Sequence, residues 1–109
     1  MPKVFEIAAK LDDIPDGGMV QVIVRGEPIG LYRTGDNVYA IHDICSHEEA
    51  YLTEGEFEPE EMEVECPLHG SRFHVETGAV RILPATRPIT AYEVRVEDDN
   101  VLVGAEKEE

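Results

Sequence analysis

The residue types able to do metal chemistry concentrate in two short segments, Cys45-Ser46-His47 and Cys66-Pro67-Leu68-His69. As a pattern this is C-x-H, eighteen intervening residues, then C-x-x-H. Each segment offers one soft thiolate and one borderline imidazole, both ligands for iron or zinc. Cys45 and Cys66 are the only two cysteines. In a reducing compartment such a pair points to a metal site before a disulfide. Two cysteines cannot supply four thiolates, so an iron–sulfur cluster here needs other ligands as well. Both thiolates on one iron and both imidazoles on a second would complete a two-iron cluster. One Cys and one His per segment suits that division, because each segment then touches both irons. The rival is a tetrahedral zinc ion, for which Cys₂His₂ is also a ligand set. Zinc ligands are generally paired two to four residues apart, and C-x-H is tight for that wrap. Pro67 stiffens the second segment, and Gly70 lets its backbone approach a sulfide with no Cβ in the way.

The stretches CSHEEAYLTEG and CPLHGSRFHVETGAV resemble the two cluster-binding loops of Rieske-type ferredoxins, including those serving bacterial ring-hydroxylating dioxygenases. The resemblance runs from about Val4 to Val103. It implies one [2Fe–2S] cluster with Cys45 and Cys66 on one iron, and His47 and His69 on the other through Nδ1. The eighteen-residue spacer is long for the family and implies a longer hairpin between the loops. Rieske proteins of respiratory and photosynthetic complexes add a Cys to each loop, joined as a disulfide, and a membrane anchor. This sequence has Glu49 or its neighbour and Leu68 at the matching positions. Those high-potential proteins also place a Ser and a Tyr after the second loop as hydrogen-bond donors to sulfur; here Ser71 is kept and Phe73 replaces the Tyr. Fewer donors leave the reduced, more negative cluster less stabilised, which implies the lower part of a range starting near about −150 mV.

The resemblance implies an electron carrier rather than an enzyme. An NAD(P)H-dependent flavoprotein reductase would supply electrons and a terminal oxygenase would accept them. The small subunit of an NADH-dependent nitrite reductase resembles the same domain and is the second reading. A zinc-stabilised interaction module is the third.

Short strands must position these loops. Alternating or β-branched runs recur at Val4–Ala8, Met19–Val24, Pro28–Arg33, Asn37–His42, Met62–Cys66, Thr90–Glu97 and Asn100–Gly104. Gly- and Asp-rich turns separate most of them, and strands joined so tightly pair antiparallel. No helical period competes. The expectation is a single all-β domain over residues 1–109 with the Rieske fold, an antiparallel β-sandwich base carrying a small cluster-binding lobe of two loops at about 43–83.

Composition narrows the partners. With 24 acidic against 9 basic residues, the net charge of −15 repels phosphate backbones and anionic lipid, so no nucleic acid and no membrane partner is expected. No run approaches the ~20 apolar residues of a membrane span, and the start lacks a signal-peptide stretch, so a cytoplasmic address is expected. Seven glutamates, at 54, 56, 58, 60, 61, 63 and 65, crowd the spacer. They form a solvated face, a docking surface for a basic redox partner, or both. His42 and His74 are read as structural or surface residues, not as a mononuclear iron site. No G-x-G-x-x-G offers a dinucleotide site.

Overall fold

The run Pro28-Ile29-Gly30-Leu31-Tyr32 has no charged residue to turn toward water, so a strand built from it must be covered on both faces. That requirement organises the molecule. The computed structural model describes residues 5–45, 50–68, 70–82 and 87–107. Among these lie strands β1 (Glu6–Lys10), β2 (Met19–Val24), β3 (Glu27–Thr34), β4 (Asn37–His42), β5 (Glu56–Glu58), β6 (Glu63–Glu65), β7 (Arg72–His74), β8 (Val80–Ile82), β9 (Ala91–Glu97) and β10 (Asn100–Glu106). Six of them form a base sheet in the order β1-β10-β9-β4-β3-β2, and β5 to β8 form a second, smaller sheet in chain order. Every pairing is antiparallel, as the short turns demand.

Three hairpins of the base use two-residue turns suited to the right-handed twist of their strands. Arg25 and Gly26 both have positive φ (51° and 80°), as do Asp98 and Asp99 (52° and 64°), and Gly35 (63°) opens the third. The base sheet bends until its edge strands β1 and β2 meet. Arg25 ties that seam. Its guanidinium lies 3.7 Å from the Glu6 carboxylate and donates to the Gly104 carbonyl at 2.7 Å.

Alternation along β3, β4 and β9 sends side chains into two cores. One face presents Ile29, Leu31, Val38, Ala40 and Tyr92 to an inner core completed by Leu11, Ile14, Val24, Val101 and Val103. The opposite face presents Tyr32, Ile41 and Ala91 to a second core shared with the small sheet, where Cys45, Leu52, Val64, Cys66, Phe73, Val75 and Ile89 meet them. Burying one aliphatic side chain of this size is worth about 1.5–3 kcal/mol.

The all-β antiparallel fold matches the sequence expectation, and Met19–Val24 and Asn37–His42 match to the residue. The first strand begins at Glu6 rather than at Val4, which lies outside the described residues. Three strands were not foreseen: β5, β7 and β8 have three residues each, too short for a periodic run. Two 3₁₀ turns, Leu11–Asp13 and Leu52–Glu54, each bury one leucine.

Candidate metal centre

Both cysteines sit at the roots of hairpin tips, because backbone pairing stops beside each of them. In the first loop the Leu52 amide donates to the Asp43 carbonyl (2.7 Å), Ile44 bridges Tyr51, and the Cys45 amide donates to the Ala50 carbonyl (2.9 Å). In the second loop the β6–β7 pairing ends at Glu65 and Arg72, and the Cys66 amide then donates to the Ser71 carbonyl (2.8 Å). The Gly70 amide closes that tip onto the Cys66 carbonyl at 3.2 Å. Gly70 has φ of 75°, and an added Cβ would meet nothing within 4 Å. The left-handed backbone of the turn therefore accounts for glycine here, a reason the sequence reading did not give.

Cys45 and Cys66 are buried, outside any disulfide, and members of one core. His47 and His69 lie outside the described residues. Two unoxidised thiols from separate hairpins, converging in a core that excludes solvent, form a donor set that fits a cluster shared by both loops. Neither belongs to a disulfide that would compete for it.

The sequence reading missed the residues that hold the loops together. Asp43, two positions before Cys45, is wholly buried. Its carboxylate accepts from the Thr53 amide (2.9 Å), the Thr53 hydroxyl (2.6 Å) and the Gln21 side-chain amide (2.8 Å), while its own amide donates to the Pro28 carbonyl (3.0 Å). One side chain thus joins both stems of the first loop to strand β2. The signal was present in Ala40-Ile41-His42-Asp43-Ile44, an acid within an apolar run. Gly55 is the second such residue. A Cβ there would overlap the Glu65 carbonyl oxygen and press on Pro67, so only glycine lets the first loop's stem pack on the second loop.

Other expectations resolve individually. His42 ends β4 with Nε2 3.0 Å from Glu27, and His74 Nδ1 lies 3.3 Å from the Thr77 hydroxyl. Ser71 and Phe73 are fully buried beside the second loop, Phe73 in the core with both cysteines. Leu52 is fully buried in that core, whereas Leu68 at the tip is 57% exposed. Tyr32 from the base reaches the same core, packs edge-on against Phe57 at 5.1 Å, and has a buried hydroxyl with no hydrogen-bond partner. Burial, with the Asp43 charge adding to it, pushes its phenol well above the ordinary range.

The acid stretch divides in two. Glu54, Glu56, Glu58, Glu60 and Glu61 are exposed. Glu63 and Glu65 are partly buried, and Arg72 lies 3.6 Å from one and 3.0 Å from the other. Strand register sets Glu56 opposite Glu65 and Glu58 opposite Glu63, like-charge pairs that oppose sheet formation.

The model of the Rieske [2Fe-2S] domain matches residues 5–93. The chain is 41% identical over 99 residues to the ferredoxin component of the naphthalene 1,2-dioxygenase/salicylate 5-hydroxylase systems of a Ralstonia species, covering 91% of this chain and 93% of that one. Its fold is similar to the ferredoxin of carbazole 1,9a-dioxygenase from Nocardioides aromaticivorans IC177, with TM-score 0.90, 44% identity, and coverage of 95% of this chain and 99% of that one. It is also similar to a chain in the complex of reduced oxygenase and oxidized ferredoxin in carbazole 1,9a-dioxygenase, with TM-score 0.88, 34% identity, and coverage of 97% and 98%. Matched over residues 5–93, which include the whole small sheet and both loop stems, the chain belongs to the Rieske [2Fe-2S] domain family.

Proposed function

We propose that this chain is a cytoplasmic, low-potential Rieske ferredoxin that carries single electrons from an NAD(P)H-dependent flavoprotein reductase to a terminal oxygenase. One [2Fe–2S] cluster is held by Cys45 and Cys66 on one iron and by His47 and His69 on the other. When bound, that cluster accepts and releases one electron. The observation that carries the reading is that two buried cysteines outside any disulfide, from separate hairpin tips, belong to one core. The likeness to dioxygenase ferredoxins over nine-tenths of the chain supports an oxygenase as the electron acceptor, and the nitrite reductase reading stands second.

The protein's own groups provide insulation and a docking face. Leu52, Val64 and Phe73 are fully buried in the same core as the thiols, a setting from which water is excluded. Buried Phe73 has no hydroxyl to donate to sulfur, which supports a potential low in the Rieske range. Around the loops, Ile44, Tyr51 and Leu68 present apolar surface at 36%, 42% and 57% exposure, beside the exposed glutamates of the small sheet. A partner with an apolar centre and a basic rim complements such a surface.

Iron and sulfide analysis with EPR tests the assignment. Two irons and two sulfides per chain, with a reduced signal of low average g, are expected. Alanine at Cys45, His47, Cys66 or His69 should each abolish the signal, while His42→Ala and His74→Ala should retain it. A colourless protein containing zinc would instead support the interaction module.

A further inference from the structure

Asp43 is the fully buried carboxylate in the described chain, and it lies at the root of the first loop. Its three hydrogen-bond donors come from two directions. Thr53 supplies two from the returning stem of the loop, and Gln21 supplies one from strand β2. An ionised carboxylate can only accept, and these donors match that state. No described cation lies among these partners. Arg72 is engaged by Glu63 and Glu65, and His42 by Glu27. Cys45, two positions along the chain, lies in the core that also holds Cys66.

We infer that Asp43 is a positioning residue that also sets the reduction potential of the site. Its hydrogen bonds tie together the two stems that lead to Cys45, and its buried negative charge opposes electron uptake. The inference rests on the cluster assignment proposed above. Reduction adds negative charge, so a fixed anion nearby destabilises the reduced form and lowers the potential, one of the determinants of iron–sulfur potentials being net local charge. Acting through a protein interior over on the order of 10 Å, a unit charge is worth about tenfold in an equilibrium constant. Exposed glutamates contribute less, because solvent and salt screen them.

Two substitutions separate charge from shape in the holoprotein, with protein-film voltammetry at neutral pH as the measurement. Asp43→Asn keeps the size of the side chain and removes the charge. The reduction equilibrium should shift about tenfold toward the reduced form, or about 59 mV for a one-electron couple, and the shift should persist at high salt. Gln21→Ala, on an exposed position of an edge strand, removes one donor and leaves the charge less compensated. Its potential should move the opposite way, by less. A loaded Asp43→Asn protein with unchanged potential would overturn the inference, as would shifts of the same sign in both variants. If Asp43→Asn fails to load iron, Gln21→Ala decides: a lowered potential supports the inference and an unmoved one defeats it. Wild-type protein without iron and sulfide would defeat the cluster assignment instead, and the two failures are thereby distinct.

Discussion

The two faces of the base sheet draw on the same three strands yet build cores of different kinds. The inner core is aliphatic apart from Tyr92 and is closed by β1, β10 and the Leu11 turn. The outer core contains both thiols, the unpartnered Tyr32 hydroxyl and Phe73, and it is capped by strands of only three residues. Hydrocarbon packed in long strands holds its shape without help. The outer core joins two hairpin roots that each bring a thiol into it, so a ligand bridging them would supply part of its cohesion. Stability is concentrated on one side of the sheet and chemistry on the other.

Removing the metal should expose the difference most sharply. Under chelation and reduction, amides of β5 to β8 and of the loop stems should exchange with solvent orders of magnitude faster, while β9 and β10 keep their protection. Equal loss of protection in both sheets, read by hydrogen exchange and mass spectrometry, would abolish the distinction.

Next in size is a cavity in each core. Leu31→Ala and Leu52→Ala each remove a fully buried leucine and should cost about 2–5 kcal/mol in chemical denaturation. Only Leu52→Ala, in the core with the thiols, should also reduce the iron retained per folded chain. Comparable iron loss from Leu31→Ala would join the two cores into one unit.

Tyr32→Phe sharpens the comparison with the opposite sign. An unpartnered buried hydroxyl costs about 1–3 kcal/mol, so its removal should stabilise the protein by up to that amount. It should also flatten the alkaline limb of stability. The folded pKa of Tyr32 is raised, chiefly by burial and then by Asp43, above an unfolded value of about 10. The neutral phenol's contribution is complete below that pH and is lost as pH rises through the folded pKa. Urea melts of both proteins from neutral to strongly alkaline pH measure this.

The smallest effect belongs to the acid face. Glu58→Gln relieves the repulsion facing Glu63 and should stabilise the small sheet by a few tenths of a kcal/mol, at the low end for an exposed cross-strand pair. It should also slow association with a basic redox partner at low salt, where steering is strongest, and have little effect at high salt. Unchanged association kinetics at low salt would assign Glu58 to solubility alone.

Much of this protein is legible in its residues because the relevant constraints are local. Two-residue turns at Arg25-Gly26, Gly35-Asp36 and Asp98-Asp99 force antiparallel hairpins whatever else the chain does, and β-branched runs mark the long strands between them. The C-x-H and C-x-x-H segments likewise announce metal chemistry through ligand type and spacing. The small sheet was less legible. Glu56-Phe57-Glu58 and Arg72-Phe73-His74 each carry one inward residue between two outward ones, too little periodicity to identify alone, whereas Glu63-Val64-Glu65 was legible within Met62–Cys66. Only pairing in register makes them a sheet. Tertiary structure alone decided that Asp43 would be buried, that its carboxylate would meet Thr53 and Gln21, and that Gly55 would lie against Glu65. These are contacts between residues 10 to 22 positions apart, and spacing carries no information about which polar groups will share a buried site. The ligand types could be read along the chain, but the arrangement that positions them depends on how two hairpins pack over one sheet.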